Sequence, residues 1–161
     1  MKQSKPLHIL GSICRTLLGL TFIFSGFVKA IDPLGTTYKI EDYLKAFGGI
    51  FMDMLPLAMT ASVVMIAFEF ALGVCLLCNV RTNITSWLAL LFMLVMTPLT
   101  LYIALENPVT DCGCFGDAVK LSNWETFWKN IVLLALVVTL LLTKRYIHQT
   151  FTWWAELTFL L

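Results

Sequence analysis

The chain has 161 residues, of which 59% are hydrophobic and 13% charged, with a formal net charge of +1 and a mean hydropathy of +0.85. That charged share is about half of what soluble domains carry, and a soluble fold of this length has nowhere to hide so much apolar surface. A net charge near zero with no basic cluster also excludes a nucleic-acid-binding protein.

The apolar residues gather into four blocks, 7–31, 54–80, 84–105 and 126–143. Each is near the ~20 residues that cross a bilayer as a helix. Four in succession, joined by short polar segments, predict an all-α polytopic membrane protein, an antiparallel four-helix transmembrane bundle in contact with the lipid bilayer. The first block follows Lys2 and Lys5, as in a signal peptide, but Arg15 interrupts it early and it outlasts a typical signal core, so it reads as a retained span.

In span one, Gly11, Arg15, Gly19, Phe22, Gly26 and Lys29 recur at steps of three or four and share one stripe, which should face the other helices. After it, Ile40, Tyr43, Leu44 and Phe47 fall at helical spacing opposite Lys39, Glu41, Asp42 and Lys45, and Gly48 and Gly49 stop the pattern, predicting a short amphipathic helix that lies on the outer membrane surface or caps the bundle. Span two is expected to begin near Pro56, in its first turn. Its Ser62, Glu69 and Gly73 form a stripe matching that of span one. Arg15 and Glu69 then come to nearly the same depth, which predicts an ion pair between them, either holding the bundle together or serving proton or quinone chemistry.

Cys75 and Cys78, one turn apart at the end of span two, read as packed small hydrophobes, with a second relay pair as the alternative. Pro98 should kink span three, with Thr97 and Thr100 satisfying freed backbone groups. Ser122 and Glu125 have the spacing of a capping box opening span four. Lys29 and Lys129 sit at the outer ends of their spans. They either snorkel to the interface or face the segment between spans three and four, where an ammonium would favour a thiolate.

Lys2, Lys5, Arg81, Lys144 and Arg145 fall on one side of the weave, against Lys39, Lys45 and Lys120 on the other. The positive-inside rule then places the N-terminus in the cytoplasm, and segments 32–53 and 106–125 outside. In a bacterial inner membrane that outside is the periplasm, where thiols can be oxidised.

The run Asp111-Cys112-Gly113-Cys114-Phe115-Gly116-Asp117 lies there. A Cys-x-Cys ring needs unusual backbone freedom, which Gly113 and Gly116 supply, and a strained exposed disulfide suits exchange. A static disulfide and a metal site of two thiolates and two carboxylates are the competing readings. Against the metal, His8 and His148 fall on the cytoplasmic side.

Together, Arg15 to Lys29 with Phe24-Ser25-Gly26-Phe27, Asp32-Pro33, Phe68-Glu69, the cysteine run and Thr126-Phe127-Trp128-Lys129-Asn130 resemble the DoxX and MauE-like superfamily of four-helix membrane proteins. The likeness extends to about Arg145, so residues 1–145 are taken as the transmembrane domain. The apolar stretch from Phe151 to Leu161 looks like the start of a truncated fifth helix, as in relatives with an extra span, or an interfacial tail occupying 146–161. The resemblance implies a bundle of the kind shared with quinone-linked thiol oxidoreductases. Cys112 and Cys114 would exchange a disulfide with a periplasmic thioredoxin-like or client protein, and electrons would pass to or from a membrane quinone held in the bundle. In that scheme Asp111 and Asp117 tune the loop, Lys29 or Lys129 favours the thiolate, Arg15 and Glu69 fix the interior, and Phe115 and Trp128 wall the quinone. A non-catalytic subunit anchoring a redox complex and a small-molecule or ion carrier built around Arg15 and Glu69 are the rival functions.

Overall fold

The computed structural model describes residues 5–107 and 121–144. Among these residues five α-helices follow one another: α1 (Lys5–Ile31), α2 (Pro33–Phe47), α3 (Ala58–Leu77), α4 (Thr82–Glu106) and α5 (Asn123–Thr143), with a 3-10 helix at Gly49–Leu57 between α2 and α3. No strand occurs among the described residues. Among the described residues four segments are long and apolar enough to cross a membrane: Pro6–Ile31, Gly49–Leu77, Thr82–Glu106 and Asn123–Thr143. The shortest, 21 residues, reaches about 31 Å at helical rise, the thickness of a hydrocarbon core.

The spanning helices alternate in direction. α1 packs against α3 and α5, and α4 closes the ring against α5 and α3. Their shared core is Cys14, Leu18 and Phe22 from α1, Leu72 and Leu76 from α3, Ala89 and Met93 from α4, and Leu133, Val137 and Leu140 from α5. Outward the same helices show Ile13, Leu17, Val64, Leu91, Leu94 and Val132, all large, apolar and exposed. Helices apolar on every face belong in lipid.

The glycine stripes do what small residues do between membrane helices. Gly11, Gly19 and Gly26 are buried, as expected. A Cβ on Gly73 would stand 2.7 Å from the Ile23 backbone nitrogen, and one on Gly26 would stand 2.9 Å from that of Phe70. Only hydrogen fits in either place, so α1 and α3 touch backbone to backbone.

α2 begins two turns before the amphipathic pattern suggests. Asp32 caps it, its carboxylate accepting from the Gly35 N–H at 2.8 Å, and Pro33 occupies the first turn, where its missing N–H is harmless. Ser62 of α3 donates to the Pro33 carbonyl at 3.2 Å, and Phe47 stacks on Tyr102 of α4 at 4.9 Å, so α2 is tied across one end of the bundle, called here the α2 end. Gly48 and Gly49 end it at φ +64° and +59°, the left-handed region that glycine enters without strain. The α-helical part of span two starts near Pro56 as expected, but Pro56 is not in its first turn. Pro56 lies inside the 3-10 helix, whose tighter turns carry the chain from Gly49, and α3 begins at Ala58.

α4 is continuous through Pro98. Thr100 donates to the Met96 and Thr97 carbonyls at 3.0 and 2.9 Å and not to the Leu94 carbonyl that Pro98 leaves without its N–H donor, and the buried Thr97 hydroxyl makes no hydrogen bond, so the expected role of the two threonines is not met. The Ser122–Glu125 capping box forms as predicted: the Ser122 hydroxyl accepts from the Glu125 N–H at 3.3 Å, and the Ser122 N–H donates to the Glu125 carboxylate at 2.8 Å.

Candidate functional site

In an antiparallel helix pair, side chains lean toward the N-terminus of their own helix, so groups on facing stripes reach toward each other along the axis. Lys29 leans back along α1 and Glu69 leans the opposite way along α3. Lys29 Nζ donates to Glu69 Oε2 at 2.6 Å, with side chains only 7% and 6% exposed. In hydrocarbon a single lysine or glutamate is costly to bury, and pairing offsets much of that cost.

This overturns the Arg15–Glu69 pair. Gly26 lies against Phe70, which puts Glu69 level with Gly26 and about 16 Å along α1 from Arg15. Arg15 instead donates through Nη1 to the carbonyls of Leu76 and Leu77, at 2.7 and 2.9 Å, the last residues of α3. A guanidinium there satisfies terminal carbonyls and meets the negative end of the helix dipole. The snorkelling reading of Lys29 fails as well, because its ammonium is turned into the bundle. A carrier site shared by Arg15 and Glu69 has no geometric basis, since the two residues are held apart.

Beside the ion pair is a cavity of about 30 Å³. Its polar lining comes from Thr21, Ser25, Lys29, Glu69, Lys129 and Asn130, and Phe22, Phe92 and Met96 are among its apolar walls. That is room for one or two waters at ~15 Å³ each. Lys129 is half-buried and faces this cavity, so α1, α3 and α5 each bring charge to one place. Asn130 donates from Nδ2 to the Thr100 hydroxyl at 3.1 Å and to the Met96 carbonyl at 3.5 Å, joining α5 to the stretch of α4 around Pro98.

The cavity does not fit a quinone. Ring-binding pockets run to roughly 300 Å³ and more, ten times what Lys29 and Glu69 border. Trp128, expected to wall a quinone ring just beneath the cysteine run, is 62% exposed on the outer face of α5. Asp111, Cys112, Cys114, Phe115 and Asp117 lie outside the described residues, and so does the stretch 146–161. The chain leaves for the cysteine run at Asn107 and returns at Leu121. Asn123 Nδ2 donates to Asn107 Oδ1 at 3.1 Å, so the flanks of that run are pinned together at the α2 end.

The Lys29–Glu69 contact was missed although both residues stand on the predicted stripes. Arg15 as a cap on another helix, and Asn130 as the link to Thr100, left no pattern in the sequence. Among the described residues no cluster of three or more His, Cys, Asp or Glu could hold a metal ion.

A four-span helical bundle, lipid-facing outside and ion-paired inside, defines a polytopic integral membrane protein. The chain belongs to the MauE family: the family model described as methylamine utilisation protein MauE matches residues 7–143, which takes in all four spans and the cysteine run. Searches of curated proteins and of solved structures found no match.

Proposed function

We propose that this protein is a thiol:disulfide exchange protein of the bacterial inner membrane, with its N-terminus in the cytoplasm and Cys112 and Cys114 serving envelope proteins from the periplasmic face. The observation that carries the reading is the Cys112-Gly113-Cys114 pair, set between two spans whose flanking residues Asn107 and Asn123 are hydrogen-bonded at the α2 end. The two spans that flank the pair are held together at their ends, which suits a dithiol that has to meet partners from one side of the membrane. The partner is a thioredoxin-like or client protein. Since the family's name concerns methylamine utilisation, the proposed client is a protein of that process whose disulfides must be set.

In the exchange, one loop thiolate attacks a partner disulfide and the other resolves the mixed disulfide, or the same steps run in reverse. Lys129, near the start of α5 and close in sequence to the loop's return at Leu121, is the proposed electropositive neighbour. A quinone that completes the electron path would meet the protein on its lipid-facing surface near the exposed Trp128, because the cavity beside Lys29 and Glu69 is too small for its ring.

The test is to express the full chain with Cys114→Ser, and separately with Cys112→Ser, in native membranes, and to identify mixed disulfides after acid quenching. One variant should capture a discrete envelope protein and the other should not. If neither captures anything and the wild-type pair resists mild reductants, the cysteines form a static bridge and the protein anchors a larger complex.

A further inference from the structure

The opposite end of the bundle carries two more cysteines that the loop chemistry leaves unused. Cys75 lies in the last turn of α3 and is half-buried, and Cys78 closes that helix and is exposed; both are free thiols. Cys78 keeps helical geometry, with φ −73° and ψ −3°, and donates its N–H to the Val74 carbonyl at 2.9 Å. Residues three apart in such a helix have Cα atoms about 5 Å apart, inside the roughly 4.4 to 6.8 Å that a disulfide bridges.

Arg15 supplies the second element. Its Nη1 stands 2.9 Å from the Leu77 carbonyl, the carbonyl of the peptide bond that leads into Cys78. Arg15 Nε is buried with no hydrogen-bond partner, so the guanidinium's donors are not all taken by α3. An exposed thiol beside a fixed cation, with a second thiol in reach, is the environment of reactive cysteines. A metal reading fails on ligand number, since two thiolates leave a tetrahedral site half filled and the described residues offer no cluster of three.

We propose that Cys78 and Cys75 form a second thiol–disulfide exchange site, independent of the loop, whose substrate is a low-molecular-weight disulfide of the glutathione disulfide class. The turn from Cys78 to α4 is only four residues long and the Cys78 side chain is exposed, which suits attack on a small molecule. Cys78, its proton released to solvent, attacks one sulfur of the small disulfide; a mixed disulfide forms and one small thiolate leaves. Cys75, losing its proton to solvent as it attacks, bonds to the Cys78 sulfur, forming the Cys75–Cys78 bond and expelling the second small thiolate. The two thiolates take up the two protons, so the small disulfide gains two electrons and the protein dithiol loses two.

The experiment uses the full chain in lipid nanodiscs with Cys112→Ser and Cys114→Ser, so that its outcome does not depend on the loop. Glutathione disulfide is added, and quenched samples are read by peptide mass spectrometry. A Cys75–Cys78 disulfide should appear. Adding Cys75→Ser should trap one glutathione on Cys78, while adding Cys78→Ser should leave Cys75 unmodified over the same time. Arg15→Gln should slow the reaction about tenfold and Arg15→Lys should restore most of it. Absence of the adduct in the Cys75→Ser protein, equal rates with Arg15→Gln in a folded bundle, or oxidation by a protein disulfide alone would overturn the assignment. Should Arg15→Gln fail to fold, the Cys75→Ser and Cys78→Ser arms decide it with Arg15 in place.

Discussion

Lys29 and Glu69 meet at 2.6 Å between the first two spans, almost wholly shielded from the surroundings of the bundle. Removing one partner strands the other as an unpaired charge. Lys29→Met or Glu69→Leu alone should therefore lower stability by ~3 to 5 kcal/mol, whereas the double replacement should recover most of the loss. Thermal unfolding of the single and double variants in one detergent checks this. Equal loss in all three would mean the pair contributes only through shape.

The close approach of α1 and α3 predicts a graded response at the glycines. Gly73→Val puts a side chain against the Ile23 backbone and should destabilise by at least ~1 to 3 kcal/mol. Gly48→Ala meets no atom within 4 Å and pays only for its positive φ, so it should be much milder. Resistance to limited proteolysis would rank the two variants.

Asn130 and Thr100 bond across α5 and α4. A double-mutant cycle with Asn130→Leu and Thr100→Val should give a coupling of about 0.6 kcal/mol, and no more than about 1.7. A coupling indistinguishable from zero would show that Met96 alone holds the asparagine.

Lys45 lies at the α2 end and Asn83 at the other, and both are exposed. In intact cells, a membrane-impermeant maleimide should label Lys45→Cys and spare Asn83→Cys in a protein otherwise free of cysteine. The reverse pattern would invert the proposed orientation and place the Cys112 loop in the cytoplasm.

The four spans were legible because hydropathy over twenty residues is a bulk property that packing hardly alters. The inward glycines and the Ser122 cap were legible because helical period and cap spacing are local. What the sequence hid was the axial register between helices. Arg15 and Glu69 both stand on inward stripes, but the Gly26–Phe70 contact decides their relative height, and no residue pattern states it. The start of α2 was hidden for another reason. Thr36 and Thr37 are buried there although polar, so the amphipathic pattern begins only after the helix does. For the candidate loop, the sequence remains the source for Cys112 and Cys114, and the described residues add its anchorage at Asn107 and Asn123.

Arg15 also bears on how the chain enters the membrane. A lone arginine near a helix centre resists insertion by ~2.5 to 3.5 kcal/mol, and α1 has Lys29 in addition. The carbonyls that receive Arg15 and the carboxylate that receives Lys29 both belong to α3, some forty to sixty residues further along the chain. The first helix is thus a poor passenger by itself and a good one in company. It should linger at the insertion machinery until its partner emerges, and the two should pass into lipid as a preassembled hairpin, with α4 and α5 joining a unit whose charges are already matched.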